Sequence, residues 1–277
     1  MTIRKNNSVL LNTTSEYNKL SIQISLNGLS FCVLDTIDNK ILASERIHFE
    51  KEVNPFELQN KLKEIFQQYQ VAKATFSEVI AIHRNQLFTF VPSALYNTDQ
   101  MANYLKFNAK ILANDLLAHD ELESHEMVNV YVPFMNINNY IYDLFGEFEF
   151  KHSATIMVES LLNAPQNNQE PTCYVYVDRE QMDITILSQK KLLLFNSYEF
   201  RTKEDFMYYL LFTLEQLKMD TETIKLKLFG TIEEGDPIYA LCYKYVKHIT
   251  IFIPGNSVPH LEGTKEETID FTVLNTL

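Results

Sequence analysis

After a polar start, apolar and polar residues alternate along the chain. Ile22, Ile24 and Leu26 alternate with Ser21, Gln23 and Ser25, a period of two that predicts a half-buried strand. Asn27-Gly28 then interrupts the run as a hairpin signal, and a second strand follows from Leu29 to Leu34. Beyond a polar turn, Ile41 to Phe49 reads as a third strand. The period then changes. Asn54 suits a helix cap, Pro55 suits the first helical position, and Leu58, Leu62, Ile65, Phe66 and Tyr69 form a stripe at helical spacing. Strands are expected at Val79 to Ile82, Leu87 to Val91 and Val128 to Val132. Helices are expected from Thr98 or Asp99 through Leu105, from Asn136 to Phe145 and from Ser153 to Leu162.

Residues 163–172 have the composition of a surface connection, and a second strand-rich stretch begins behind them. Cys173 to Val177, then Met182, Ile184 and Ile186, then Leu192 to Phe200 predict three strands. Thr202 is placed to cap a helix striped by Phe206, Leu210, Leu211, Leu214 and Leu217. A strand from Ile224 to Phe229, a helix from Pro237 to Tyr245 and a strand from His248 to Ile253 follow. The tail from Pro254 reads as loop, with a short strand at Ile269 to Leu274.

The two stretches match. Ile22, Ile24, Leu29, Phe31 and Val33 align at one constant offset with Val175, Val177, Met182, Ile184 and Ile186. After a small gap, Ile41, Ala43, Ile47 and Phe49 align with Leu192, Leu194, Tyr198 and Phe200. Three antiparallel strands, a helix, a strand, a helix and a strand is the order of the ribonuclease-H-like unit. The expected fold class is therefore α/β, a duplicated ribonuclease-H-like (actin-like ATPase) fold with two lobes of mixed β-sheet and helices. Its expected division is a flexible N-terminus at 1–19, a first lobe at 20–146 and a second at 147–277.

Charge narrows the function classes. Asp and Glu outnumber Lys and Arg by 36 to 24, a formal net charge of −12 that repels phosphate backbones and anionic lipid. No nucleic-acid partner is expected, and no apolar run reaches the length of a membrane span. The basic start has no long apolar stretch behind it, so no secretory signal is read. Cys32, Cys173 and Cys242 are odd in number and scattered, as expected of reduced thiols in a cytoplasmic protein.

Three segments carry a family resemblance: Ser21-Ile-Gln-Ile-Ser-Leu-Asn-Gly-Leu-Ser-Phe31, Tyr131-Val-Pro-Phe-Met-Asn-Ile-Asn-Asn-Tyr-Ile-Tyr142 and Tyr174-Val-Tyr-Val-Asp-Arg-Glu-Gln-Met-Asp-Ile184. The chain resembles the bacterial domain-of-unknown-function family 3822 from about residue 20 to its end. The resemblance implies an actin-like fold with no established activity. The order of elements is also similar to that of actin-like assembly proteins of pili and secretion systems.

An actin-like ATPase would hold phosphate on two hairpins that read Asp-x-Gly, with adenosine on a glycine-paired loop. The carboxylate positions Mg²⁺ through water, and glycine admits phosphate oxygens to backbone N–H groups. Here the first hairpin offers Ser25, Leu26, Asn27 and Gly28, without the carboxylate. The second offers Asp178, Arg179 and Glu180, without the glycine. Gly230 stands alone before Thr231, with Glu233 and Glu234 behind it, and the whole chain holds only 6 glycines. Asn27, Gly28, Asp178 and Gly230 are the nucleotide-binding candidates, and ordinary turn residues are the commoner meaning of such positions.

No other motif carries chemistry. His119-Asp-Glu-Leu-Glu-Ser-His125-Glu126 lacks metal-ligand spacing and reads as a solvated acidic loop or helix end. His83-Arg84-Asn85 reads as a turn. There is no nucleophile elbow and no Walker loop, and no catalytic residue or metal ligand is assigned. Tyr208, Tyr209, Phe212, Tyr239, Tyr243 and Tyr245 fit either a partner surface or ordinary packing. The expected function is a non-enzymatic scaffold or adaptor acting through a protein partner or self-association, with no cofactor. The alternative is a divergent ATPase or nucleotide-dependent switch binding Mg-ATP between the lobes. A ribonuclease-H-like nuclease ranks last, because Ser25 stands where its first carboxylate is needed.

Overall fold

Both expected three-stranded meanders form, and in each the first strand becomes the centre of a larger sheet. The structure, a computed structural model, describes residues 17–112, 114–164, 170–253 and 269–277. In the first meander β1 (Asn18–Ser25), β2 (Gly28–Asp35) and β3 (Lys40–His48) pair antiparallel. The helix α1 (Pro55–Gln68) follows. The Asn54 side chain accepts from the amides of Phe56 and Glu57, both at 3.0 Å, and the Glu57 carboxylate accepts from the Asn54 amide at 3.2 Å. This reciprocal cap fixes where the helix begins. Leu58, Leu62, Ile65 and Phe66 are its buried stripe. Each such side chain contributes about 1.5–3 kcal/mol on burial, against about 1 kcal/mol for a cap, so the stripe holds the helix down and the cap sets its register.

A helical crossover lets the next strand, β4 (Glu78–His83), lie parallel to β1. The chain then leaves the sheet. β5 (Phe88–Pro92), the short helix α2 (Met101–Leu105), β6 (Ala118–Leu122) and β7 (Met127–Tyr131) build a separate antiparallel sheet in the order β5-β7-β6. The helix α3 (Met135–Phe145) returns, and the strand β8 (Glu149–His152) pairs parallel with β4, closing the first sheet as β3-β2-β1-β4-β8. The helix α4 (Ser153–Asn163) follows directly.

The second sheet repeats this order without the insertion. β9 (Thr172–Asp178), β10 (Gln181–Ser188), β11 (Lys191–Glu199), the helix α5 (Lys203–Gln216), β12 (Lys225–Gly230), the helix α6 (Pro237–Tyr245) and β13 (His248–Ile251) give β11-β10-β9-β12-β13. Thr202 and Asp205 form on α5 the same reciprocal cap that Asn54 and Glu57 form on α1. The likeness extends to register. Ile22 lies opposite Phe31 and Ala81, as Val175 lies opposite Ile184 and Leu228. Both outer strands shift register at the same place, between Val33 and Leu34 and between Ile186 and Leu187, leaving Leu42 and Leu193 as the extra residues of a bulge.

By its contacts the chain forms two units, residues 1–157 with 257–277, and residues 158–256. This division differs from the expected boundary after residue 146. It falls inside α4, and the C-terminal residues go with the first unit. In that unit Leu20, Ile22, Phe31 and Val33 pack on α1 and on Ile137 and Ile141 of α3. On the opposite face, Cys32, Leu34, Ile80 and Ile82 pack with Ile156, Ile269 and Val273. In the second unit Val175, Ile184 and Ile186 pack on Phe206, Leu210 and Leu214 of α5 and Cys242 of α6. All three cysteines are buried and free.

Three local expectations change. Ile269 to Leu274 is not a strand: α7 (Phe271–Leu274) is one helical turn, because the Asp270 side chain accepts from the Thr272 amide at 2.9 Å and so caps it. The acidic segment at His119, expected as a solvated loop or helix end, is so only in its second half, where Glu123, Ser124 and Glu126 are exposed in a short turn. Its first half, His119 to Leu122, forms most of β6, with Asp120 and Leu122 turned inward. The four-residue strand β8 had no sequence signal. The expectations for residues 1–16, 165–169 and 254–268 lie outside the described residues.

Replacing either cap residue, Asn54→Ala or Thr202→Ala, is expected to cost about 1 kcal/mol. That lowers the thermal midpoint by about 2–4 °C, and a midpoint within error of the parent would show that the cap contributes nothing.

Candidate functional site

In the first unit Ser25 pairs with Gly28 and closes a two-residue hairpin of Leu26 and Asn27. The hairpin's oxygens are engaged locally. The Ser25 hydroxyl donates to the Gly28 carbonyl at 3.0 Å, the Asn27 carbonyl accepts from the Phe49 amide at 2.9 Å, and the Leu26 carbonyl accepts from the Val53 amide at 3.0 Å. Gly28 is the first residue of β2, not a turn residue. A Cβ there would come within 2.5 Å of the Ile47 carbonyl oxygen, so the neighbouring strand alone requires glycine.

The second unit places Asp178 opposite Gln181, closing a loop of Arg179 and Glu180. Arg179 adopts a left-handed φ of 53°, unusual for a residue with a side chain. Its amide donates to the Thr231 hydroxyl at 3.3 Å. The Thr231 amide and hydroxyl in turn both donate to the Val177 carbonyl, at 2.8 and 3.1 Å. Gly230 has φ +97°, and a Cβ there would lie 2.2 Å from that same carbonyl. Asp178, Arg179 and Gly230 therefore meet at one end of the second sheet. Asn27 and Gly28 belong to the first unit, at the matching hairpin.

The register gives Gly230 a counterpart. Val177 faces Gly230 as Ile24 faces His83. The next amide does the same work in both units: Arg84 N–H donates to the Ile24 carbonyl at 2.8 Å, as Thr231 N–H does to Val177. His83 is no solvated turn residue. It is fully buried, its Nδ1 accepts from the Phe134 amide at 3.2 Å, and its Nε2 lies 2.9 Å from the Asn138 side-chain oxygen. These partners assign the proton to Nε2. Burial holds the imidazole down at about 4, against the raising effect of the Asn138 hydrogen bond.

His83 opens onto a buried polar cluster that motif reading missed. His152, at the end of β8, accepts from the Ala154 amide through Nδ1 at 3.1 Å. Burial first, then the nearby His83 and Arg84, bring it down to about 3. Asp120 accepts from the Tyr131 hydroxyl at 2.9 Å, the His152 amide at 2.8 Å and the Thr155 hydroxyl at 2.6 Å. Burial raises its pKa, and those three hydrogen bonds pull it back. Asn129 donates to Thr155 at 2.9 Å. The cluster ties the inserted sheet to the end of β8 and the start of α4. Among the described residues no three His, Cys, Asp or Glu side chains are grouped to hold a metal.

A second charged group lies on the other face of the first sheet. Arg46 donates to the Asp270 carboxylate at 3.2 Å, and Arg84 lies 4.0 Å from the same oxygen, with Asp270 fully buried. The one sequence signal for both clusters was a charged residue inside or directly against an apolar strand run: Asp120, Arg84, Asp270. Of the aromatic residues in α5 and α6, Tyr208, Phe212, Tyr243 and Tyr245 are exposed, while Tyr209 stacks on Tyr198 at 4.7 Å.

A family profile described as Protein of unknown function (DUF3822) matches residues 7–249. The chain belongs to that family. No curated protein matches it. The DUF3822 chain is similar to a Bacteroides thetaiotaomicron protein described as having an actin-like ATPase fold and unknown function. The TM-score is 0.76 at 22% identity, covering 88% of this chain and 94% of that one. It is also similar to a chain of the PilM-PilN type IV pilus biogenesis complex, with a TM-score of 0.59 at 10% identity, covering 95% of this chain and 98% of that one. At these identities the likeness establishes the fold, an actin-like ATPase fold. Among the described residues no helix of this DUF3822 chain is long and apolar enough to cross a membrane.

If backbone contact alone fixes the glycines, Gly230→Ala is expected to cost about 3 kcal/mol or more and lower the thermal midpoint by about 6–12 °C with no ligand present. A Gly230→Ala chain as stable as the parent would show that the glycine serves something else.

The imidazoles make a pH prediction. Both folded values lie below the ordinary 6.5, so the unfolded chain binds the extra protons. Their contribution is present above about pH 6.5 and is lost as the pH falls toward about 4 for His83 and about 3 for His152. The loss is about 1.4 kcal/mol per pH unit for each imidazole. Asp120, shifted up, acts in the opposite sense: its contribution is present at low pH and lost as the pH rises through its folded value. Denaturation midpoints measured from about pH 7 down to about pH 5 should fall, and His83→Gln should flatten that slope. An unchanged slope in the variant would refute the assignment.

Proposed function

We propose that this chain is a non-enzymatic binding module on an actin-like frame, a scaffold or adaptor that works through protein–protein contacts. The observation that carries this reading is the state of its two hairpins. A phosphate cradle needs backbone N–H groups turned outward and glycine where an oxygen must come close. Here the space beside Gly28 belongs to the Ile47 carbonyl, the space beside Gly230 belongs to the Val177 carbonyl, and the Thr231 amide is bonded to Val177. The first hairpin lacks a carboxylate, and the second carries Glu180 where phosphate would have to approach.

Two further points support it. One structural neighbour is a component of a pilus biogenesis complex, an assembly role that the same frame can fill here. The exposed Tyr208, Phe212, Tyr243 and Tyr245 are the residue types that anchor protein interfaces. The shared register, bulge and cap fit an internal duplication whose copies have drifted from nucleotide chemistry. The net charge of −12 disfavours nucleic acid, and the scaffold is placed in the cytoplasm on this reading. The second reading, a nucleotide-dependent switch, draws on Asp178, which keeps a carboxylate beside the Arg179–Thr231 contact.

The two readings separate in a thermal unfolding experiment with and without Mg-ATP. A ligand at about 100 times its dissociation constant adds about 2.7 kcal/mol, a rise of about 5–10 °C for a protein of this size. The scaffold predicts no rise. A rise of that size, abolished by Asp178→Asn, would replace it with the switch.

A further inference from the structure

The helices α1 and α5 are built to one plan. Each has 14 residues behind a reciprocal cap, and in each the fourth, eighth, eleventh and twelfth residues are buried. The sixth and tenth face solvent in both. In α1 they are Asn60 and Glu64, polar residues of the kind such positions ordinarily hold. In α5 they are Tyr208 and Phe212, which remain 62% and 43% exposed. Folding therefore does not demand rings there, since the same frame in the same chain is satisfied with polar side chains. The seventh and ninth residues differ too. In α1 they are Lys61 and Lys63, which cover the rings of Phe49 and Tyr140 at 5.1 and 5.2 Å. In α5 they are Tyr209 and Leu211.

The exposed rings are held in place. Phe212 stacks with Tyr208 at 5.9 Å, Tyr208 meets Tyr209 edge to face at 5.5 Å, and Tyr209 stacks on Tyr198 of β11 at 4.7 Å. The Tyr198 hydroxyl lies 3.3 Å from that of Thr213, which fixes the inner end of the row. Rings ordered in advance lose little freedom when another molecule settles on them, a property of interface anchors. Charge selects the molecule. At about 100° per residue, Glu204, Tyr208, Phe212 and Glu215 fall within about 80° of one helix face, with the two glutamates about 16 Å apart along the axis. Both are exposed, and the pairing of Glu204 with Lys203 at 3.9 Å is a solvated one that contributes little. The face of an aromatic ring is also its negative side. Rings and carboxylates thus attract the same sign of charge. A second copy of this chain, with its net charge of −12, is disfavoured.

We propose that this face of α5 is the docking site for a cationic segment of a protein partner. An apolar side chain of that segment lies on Tyr208 and Phe212, between arginines or lysines that reach Glu204 and Glu215. A guanidinium over the Tyr208 ring adds a cation–π contact. This deepens the scaffold reading, on which it rests, by naming the surface and the chemistry of its partner. The two fail separately: a thermal rise with Mg-ATP removes the scaffold, whereas loss of binding at α5 removes only this surface.

The test selects binders from a displayed library of random peptides on the full-length chain, then measures the enriched peptides by fluorescence anisotropy. They should carry arginine or lysine on both sides of an apolar residue. Their affinity should fall about tenfold or more for the double variant Tyr208→Asn with Phe212→Glu, which gives α5 the residues that α1 holds in those places. That variant is more negative than the parent, so attraction to net charge alone predicts equal or tighter binding, and such a result would overturn the proposal. Glu204→Gln with Glu215→Gln should weaken binding about fivefold and flatten its dependence on salt. Unchanged affinity in that pair is the negative result, and it decides the matter should the ring variant fail to fold. Three other outcomes count equally against the docking site: no enrichment, enriched peptides without cationic residues, and a parent chain that pairs with itself and comes apart in the ring variant.

Discussion

Each sheet is organised by the double pairing of its central strand. β1 runs antiparallel to β2 on one side and parallel to β4 on the other, and β9 does the same between β10 and β12. Using both edges satisfies the backbone of these buried strands. It also dictates the connections, since an antiparallel neighbour accepts a two-residue hairpin while a parallel one requires a crossover helix. The reciprocal caps at Asn54 and Thr202 start those crossovers on time. The glycines follow from the same constraint. Strands held this close leave no room for a Cβ at Gly28 or Gly230.

The two units use one frame differently. Where the second puts Gly230, the first puts the buried His83, and beside it an inserted sheet is anchored through Asp120, Tyr131, His152 and Thr155. Burying the neutral His83 imidazole and the Asp120 carboxylate is tolerable because their polar atoms meet partners inside the protein. Both units rest on an apolar core, and the first adds a cluster of specific polar contacts to it.

Much of the fold was legible from the chain. Period-two alternation and the cap residues Asn54 and Thr202 are local signals, and they located both meanders and both crossover helices. The insertion was read less well. β8 spans four residues, too few for a period to register. In β6, carboxylates masked an alternation whose inward member, Asp120, is acceptable only because Tyr131 and Thr155 hydrogen-bond to it. Arg84 looked like a turn residue for the same reason: the Asp270 that balances it lies far off in sequence. Asn27-Gly28 predicted the right hairpin one residue out of place, since the loop is Leu26-Asn27 and Gly28 answers to Ile47. Local chemistry places elements, and charges buried at long range are visible only once the chain has closed on itself.

The bulges at Leu42 and Leu193 sit in the outermost strand of each five-stranded sheet. An added residue there twists the strand and breaks the even ladder of donors and acceptors along its free edge. Such an edge makes a poor template for another chain. On that flank each sheet is closed to growth, and a protein arriving there must be recognised by side chains, because it cannot be enrolled as one more strand.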